Sequence, residues 1–484
     1  MVDRTPFLRF FAGVLPLTAI VVSSLVIACS DARSDTVGLP VKVTSSNQDG
    51  ATMAIPRWKG YAHPTDPNRL WLTIADWGSQ ANHLVYSTNG GASWNLPGIL
   101  LPNDNALDNH VALTGDASGN LYAVFPYGSQ IQLRKVRYPA QSSSDLDPLR
   151  TVHSGSSQPR ASIMFQPSGQ RLWVFTRESY IPSENVRYHY SDNGGQTWVH
   201  GTADPTNADQ VRIGSMPFVN GQPALVVLYL NSPLGFRYYL WNGAQFESRP
   251  DAQIYSGSLG YDRAFTHNVL AGDYFHLVFG AGDTLYHYWK KYNNGSGSWN
   301  AGMVDNSSYT QGSDWEVAST VRGDELFVFY RKSTSPDTTR GQIYCRKWSQ
   351  SSMNWSPPLH VSTLPENVNN HWPNTVMQVP STSTTIPIFW YTHVGVNNEQ
   401  VYYNEITVPP LGPCCEGTRG NVDLSGIVDL SDLSTLVAYL TGSGVYLPCP
   451  DEANINGLGI VDLSDLSRLV SYLTGGGATL PVCP

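Results

Sequence analysis

The sequence predicts an all-β propeller, with seven blades favoured over six, followed by a small α-helical domain built on calcium-type loops. Three observations predict it. From residue 40 to residue 408 one unit recurs about every 50 residues, the period of a four-stranded propeller blade. Each unit has the same internal order: a starting segment with a polar or ring side chain, an apolar strand, a Tyr-rich strand, and a turn that ends in Trp or Phe. Beyond residue 408 the pattern changes to a polar loop and an amphipathic helix, present twice.

The starting segments are "IPRW" at Ile55, "NHVAL" at Asn109, "QPRAS" at Gln158, "SMPFV" at Ser215, "DRAFT" at Asp262, "DWEVA" at Asp314 and "HWPNT" at His371. The second strands include "LWLTIAD", "LYAVFPY", "LWVFTRE", "FHLVFGA", "LFVFYRK" and "IPIFWYT". The third include "HLVYS", "VRYHYS", "LYHYW", "QIYCRKW" and "QVYYNE". Six blades is the alternative if the weak start "SMPFV" is not a blade. The last unit lacks a fourth strand before Pro409, and "PVKVT" (40–44) precedes the first unit. Adding that segment to the last blade closes the ring and removes two exposed edges.

A chain of 484 residues exceeds one ordinary core. Low charge (14%), 14 Trp, 26 Tyr, 43 Gly and 33 Pro fit many short strands joined by turns. A net charge of −9 without a basic run argues against a nucleic-acid partner. The domain boundaries read from these patterns are 1–28 for a signal peptide, 40–408 for the propeller, 409–413 for a Pro-rich linker ("VPPLGP" runs over 408–413) and 414–484 for the C-terminal domain.

At the N-terminus Arg4 and Arg9 precede an apolar run over 10–28, as in an export signal. An uncleaved anchor is the rival reading, because the run is nearly long enough to span a bilayer. Its end, "VIACS", resembles a bacterial lipobox, with Val26, Ile27 and Ala28 before Cys29. The resemblance implies lipidation of Cys29 and a place on a bacterial cell surface; plain secretion is the alternative. A membrane enters only through this N-terminal lipid or anchor.

Cys414, Cys415, Cys449 and Cys483 crowd the C-terminal segment and read as a disulfide framework. The adjacent Cys414 and Cys415 join Cys449 and Cys483 in an order the sequence leaves open. Cys345 reads as a buried strand residue.

"YSTNGGASW" (86–94) and "YSDNGGQTW" (190–198) punctuate blades one and three after the third strand, with degenerate copies ending at Trp299 and Trp355. Asn and Ser side chains bond nearby backbone amides, and the Gly pairs supply positive φ. The motif resembles the Asp-box, or BNR repeat, of sialidase-like propellers, with Asn89 and Asn193 where that family usually has Asp. The resemblance implies a glycan or glycoconjugate ligand, polysaccharide catabolism, and a site away from these turns.

Any site on a propeller belongs at the channel mouth, where the starting segments converge. Arg57, Arg160 and Arg263 are candidates for a carboxylate-gripping cluster, since a guanidinium fork matches two oxygens. With Glu316 and Asp76 they are the candidate catalytic residues of an exo-sialidase-like glycoside hydrolase; Asp262 and Asp314 are further candidates for its acid. A polysaccharide lyase is a second enzymatic reading: His110, His267 or His371 takes the C5 proton of a uronate while Arg57 or Arg160 offsets the carboxylate. The third reading is a non-catalytic glycan- or protein-binding display propeller, with Trp58, Trp315 and Trp372 stacking on sugars beside His110 and His371. Each Trp has a plainer alternative in blade packing.

The tail carries "GNVDLSGIVDLSDLSTLVAYLTG" (420–442) and "ANINGLGIVDLSDLSRLVSYLTG" (453–475). Leu433, Leu436, Val437 and Leu440 fall on one helical face. An EF-hand-type loop supplies oxygens at fixed positions, with Gly at the sixth. The first loop offers Asn421, Asp423, Ser425, the Ile427 carbonyl, Asp429 and Asp432 around Gly426. The second offers Asn454, Asn456, the Ile460 carbonyl, Asp462 and Asp465, with Leu458 at a ligand position where it gives no oxygen. The duplicated loop and helix resembles a type I dockerin. That resemblance implies bound Ca2+ and docking onto a cohesin-like protein; a self-contained calcium-stapled tail is the alternative.

Overall fold

The computed structural model describes residues 35–44, 59–76, 81–101, 111–154, 160–166, 170–177, 184–208, 211–213, 218–219, 222–229, 235–248, 265–270, 274–291, 298–310, 315–333, 340–350, 352–364, 368–393, 399–409, 411, 415, 417–423, 425–441, 447, 449–458 and 461–483. These residues form seven antiparallel sheets, so the chain is a seven-bladed all-β propeller with short helices at its C-terminal end. Blade 1 is Gly60–Ala62, Leu70–Asp76, Ala81–Ser87 and Asn95–Leu101. Blade 3 is Arg160–Gln166, Arg171–Arg177, Glu184–Ser191 and Val199–Ala208. In both, the sheet order follows the chain, from the inner strand outwards.

The blades are held face to face by alternation along each strand. In blade 3, Leu172 and Val174 pack with Tyr122, Val124 and Leu133 of blade 2. Trp173 and Phe175, between them, pack with Leu225, Tyr239 and Trp241 of blade 4. Both faces of a middle strand are therefore covered, which is why the second strands read as unbroken apolar runs rather than as alternations. Leu121–Phe125 and Ile386–Tyr391 show it, with every residue but Pro387 named among the buried core. One such apolar cluster fills each of the seven blade interfaces.

The weak start of blade 4 is a real blade whose inner strand is split. Val211–Ile213 and Phe218–Val219 both pair with Gln222–Tyr229. Blade 7 (Asn369–Asn374, Thr385–His393, Glu399–Thr407) is completed from the N-terminal side of the propeller. Val41 and Lys42 pair with Tyr403 and Tyr402, as the 40–44 segment predicts. A second short strand, Thr36–Val37, adds Thr36 to Thr407 and Val37 to Ile406.

The two Asn-Gly-Gly turns are built alike. Ser87 Oγ accepts the Gly91 N–H at 2.8 Å and donates to Asn89 Oδ1 at 2.9 Å. Asn89 Oδ1 accepts the Ser93 N–H at 3.0 Å, and its Nδ2 donates to Ser93 Oγ at 2.8 Å. Ser191, Asn193 and Thr197 repeat the pattern. Each turn leans on the third strand of the preceding blade. Gly91 sits against the Tyr403 ring of blade 7, and Gly195 against Leu133 of blade 2. Tyr403 also donates its hydroxyl to the Gly90 carbonyl at 2.9 Å. The turns are thus latches between blades as well as strand connections.

Among the described residues the C-terminal segment has three helices: α1 (Leu430–Leu440), α2 (Pro450–Ala453) and α3 (Leu463–Leu473). Val422, Leu436, Ile455 and Leu469 form its small core. Cys415 and Cys483 are joined, with Cα atoms 5.4 Å apart. Cys449 is also disulfide-bonded, whereas Cys414 lies outside the described residues. Cys345 is a buried free thiol on the third strand of blade 6. The leader and Cys29 lie outside the described residues.

At Gly91, φ is +90° and a Cβ would collide with the Tyr403 ring, whereas at Gly128 φ is +59° and the space is open. Gly128→Ala should therefore cost only the left-handed strain of about 1 kcal/mol. Gly91→Ala should cost more, because the steric clash adds to it. Thermal unfolding of the two variants checks this, and equal losses would refute the latch.

Burial pushes His267 and His276 each down to about 3. Both rings are neutral in the folded chain and gain a proton on unfolding below their ordinary value of about 6.5. Their contribution is full above that pH and declines as pH falls towards about 3, by about 1.4 kcal/mol per pH unit for each ring. Denaturant midpoints at neutral and mildly acidic pH should show the decline, and His267→Leu should make it shallower.

Candidate functional site

Inner strands begin at the mouth end of the propeller, and second strands finish there. Blades 6 and 7 bring two such places together. Glu316 lies just before the inner strand Val317–Arg322 of blade 6 and is buried. Its backbone is fixed by the Arg331 N–H, which donates to the Glu316 carbonyl at 2.9 Å. The carboxylate reaches across to blade 7. Oε2 accepts the Trp372 N–H at 2.6 Å, and Oε1 lies 3.3 Å from His371 Nδ1.

That reach depends on a fault in the blade 7 inner strand. The register shifts between His371 and Asn374, and Trp372 takes φ +49°. A positive φ is rare for a bulky residue, and the following Pro373 disfavours helical geometry as well. The Glu316 carboxylate on its N–H and its ring stacked on Tyr391 at 4.9 Å help to hold it. Residues kept in such conformations by their surroundings cluster at functional sites.

His393 ends the second strand of blade 7. Its ring meets His371 edge-on at 5.6 Å and Tyr391 at 4.9 Å. Burial lowers its pKa, the His371 charge adds to that, and Glu316 opposes it. Behind this group the strand is locked in place. Asn370 Oδ1 accepts from Trp390 Nε1 at 2.9 Å and Thr392 Oγ1 at 2.7 Å. The site is therefore an oriented carboxylate and imidazole with a second imidazole beside them, able to hold and move a proton.

Of the residues predicted from sequence, the structure brings Glu316, His371 and Trp372 together. Trp315 does not join them. It is fully buried, packs over Gly280 and donates Nε1–H to the Gly282 carbonyl at 3.2 Å, so it is blade packing rather than a sugar platform. His267 is likewise sealed between Phe265 and Phe275 and is not available as a base. Arg160 opens the inner strand of blade 3, and Asp76 closes the second strand of blade 1; only their backbone positions are described. Arg57, Trp58, His110, Asp262, Arg263 and Asp314 lie outside the described residues. Sequence reasoning missed His393 because it sought histidines in the starting segments, although second strands, such as the one Asp76 closes, end at the same mouth. A cleft lined by Ala62, His63, Val379, Thr385 and Tyr403 opens at the opposite end, between blades 7 and 1, and does not include the Glu316 group.

The C-terminal loops form a second candidate site. Asp432, buried, accepts the Asp423 N–H at 3.0 Å and the Asp429 N–H at 2.7 Å. Asp429 caps α1 by accepting from Ser431 N at 2.7 Å, and Asn421 Oδ1 accepts from Gly426 N at 3.3 Å, where φ is +95°. Asp465 and Asp462 repeat this, accepting from Asn456, Asp462 and Ser464 N–H groups at 2.8, 2.9 and 2.7 Å. The Asn454 carbonyl is held by Arg419 at 2.7 Å. A carboxylate oxygen keeps a lone pair after one such bond. Asn421, Asp423, Asp429 and Asp432, with Ser425 and the Ile427 carbonyl, are therefore the oxygens this loop offers to a hard cation. In the second loop Leu458 is exposed and contributes no oxygen, and Ile460 lies outside the described residues.

No family model and no curated protein matches this sequence. Among solved structures the chain is similar to a polysaccharide lyase, at 9% identity over 76% of this chain and 93% of that one, with a TM-score of 0.49. It is also similar to the six-bladed fucose-recognising lectin of Aleuria aurantia, at 14% identity over 66% and 99%, with a TM-score of 0.44. A third is the α-L-arabinofuranosidase from Fusarium graminearum, at 11% identity over 66% and 99%, with a TM-score of 0.44. Likeness at this level carries no statement about chemistry. The class rests on the chain's own seven sheets: a seven-bladed β-propeller with a Glu–His–His group at its mouth and a two-loop helical tail.

Proposed function

We propose that this propeller binds and cleaves an extracellular glycan at the mouth between blades 6 and 7. The observation that carries the reading is the Glu316 carboxylate, which orients His371 and pins the Trp372 bulge beside His393. The finer reading is β-elimination at a uronate. With its Nδ1 held on Glu316, His371 presents its other nitrogen as the base for the C5 proton. The C4–O bond then breaks, and the departing oxygen takes its proton from His393 or solvent. Arg57 and Arg160 are the proposed cations for the uronate carboxylate. Hydrolysis by an exo-sialidase-like arrangement of Arg57, Arg160 and Arg263 is the competing reading, and the product separates the two. Elimination leaves an unsaturated sugar that absorbs ultraviolet light; hydrolysis leaves a reducing end without it.

Incubation with a panel of uronate-containing and sialylated glycans tests this. Glu316→Gln, His371→Ala and His393→Ala should each lower the rate by about 10²- to 10⁴-fold with binding retained. As proton donor His393 must carry its proton, and its lowered pKa confines that form to a more acidic pH than an ordinary imidazole, so the alkaline limb set by it should fall below about 6.5. Wild-type protein that binds glycans without turnover would instead favour a display propeller, with Trp372 over Tyr391 as the stacking surface.

The tail is proposed as a calcium-binding docking module of an exported, surface-anchored protein, with a cohesin-like partner. The support is the repeated loop and cap geometry around Asp432 and Asp465. Calorimetric titration of the full chain with Ca2+ should resolve two binding events, the one at the Leu458 loop weaker. Asp432→Asn should remove the tighter. Absence of heat with wild type, or an unchanged profile in the variant, would defeat the assignment.

A further inference from the structure

Three histidines meet on the outer rim of the propeller, away from the mouth. His153 comes from the outermost strand of blade 2 (Arg150–Ser154). His189 and His200 come from the two outer strands of blade 3. One ring nitrogen from each lies within 4.8 Å of the other two. His189 Nδ1 and His200 Nδ1 are 2.7 Å apart, and the His153 ring stacks on His189 at 4.9 Å. His189 is buried, His153 half-buried and His200 exposed, so the group has a closed floor and an open side.

We propose that His153, His189 and His200 form a binding site for a divalent transition-metal ion of the zinc class, with solvent as the fourth ligand. Three imidazoles with an open fourth position are a recognised zinc environment. Zn–N bonds of about 2.0–2.1 Å in tetrahedral geometry place nitrogens about 3.3 Å apart. The pair at 2.7 Å must therefore open by roughly 0.6 Å, which the exposed His200 side chain allows. The orienting partner of a metal-bound imidazole is present as well. Thr176 Oγ1 lies 2.9 Å from His189 Nε2, so that nitrogen can carry the proton and leave Nδ1 free for the metal. Arg187 lies close enough for its charge to act on His189. The Arg187 charge opposes a dication, which makes the three imidazole bonds the whole source of affinity. A bound ion would join the outer edges of blades 2 and 3, where Arg150 also donates to the Gly194 carbonyl at 2.7 Å.

The test uses the full chain, stripped of metal and then saturated with Ca2+ so that the tail loops are filled. Co2+ is titrated and read by its visible absorption, then displaced with Zn2+. Wild type should take up one more equivalent than the His153→Ala/His200→Ala double variant. Zn2+ should raise the thermal midpoint of wild type only. Neither replaced side chain is fully buried, and matching metal-free melting curves would show that the variant folds. Thr176→Val, which leaves all three ligands in place, should weaken binding by about 10- to 100-fold. Equal uptake by wild type and double variant, or no uptake by wild type, overturns the site.

Discussion

The ring depends on how its two chain ends are held together. Every blade interface except one joins neighbours that are also continuous in sequence. Blade 7 meets blade 1 without that help, and an open seam would expose two strand edges. Glu325, on the second strand of blade 6, gathers the two chain ends beside blade 7. It pairs with Arg322, whose guanidinium donates to the Pro409 carbonyl at 2.8 Å, where the chain leaves blade 7. It also pairs with Lys347 at 3.1 Å, and Lys347 holds Asp35 at 3.1 Å, where the described chain enters. Two cations on one buried carboxylate thus fix both ends. The net energy of such buried pairs is small once desolvation is counted, so their value here is in specifying where the ends lie. Pairing of 36–37 and 41–42 with the last strand, and Tyr403 against Gly91, then complete the seam.

The mouth inherits its geometry from that rigidity. Trp315 and Glu316 are adjacent, yet one is swallowed by the packing of blades 5 and 6 and the other reaches blade 7. Extended backbone sends neighbouring side chains to opposite sides. Packing that fixes Trp315 therefore aims Glu316. The Glu316 carboxylate in turn holds a left-handed tryptophan in place, so the unusual conformation of Trp372 is supported from two blades.

How legible each feature is in the sequence follows from the range of the interactions behind it. Blade order is plain because burial on both faces writes unbroken apolar runs such as those at 121–125 and 386–391. The Asn-Gly-Gly turns are plain because Ser87, Asn89 and Ser93 bond within a few residues of one another. The caps at Asp429 and Asp462 are plain for the same reason. The blade 4 start is faint because its inner strand is split. The site is fainter still, because Glu316 bonds a backbone 56 residues away and His153 meets His189 from another blade. Nothing local marks such pairs. The Trp content misleads in the same way: Trp315 and Trp372 both sit at blade starts, and only tertiary packing assigns one to the core and the other to the mouth.

The asparagine in each punctuating turn shows what the turn is for. Asn89 uses its oxygen to accept the Ser87 hydroxyl and the Ser93 N–H, and its amide to donate to the Ser93 hydroxyl. Asn193 does the same with Ser191 and Thr197. An aspartate could accept but not donate, so the hydroxyl at Ser93 or Thr197 would have to reverse its role. The loop is satisfied either way, and no charge is needed. What is hardest to exchange is the second left-handed glycine, Gly91 or Gly195, which brings the turn down onto Tyr403 or Leu133 of the blade before. The demanding part of this turn is therefore steric, and its work is to lock one blade to the last.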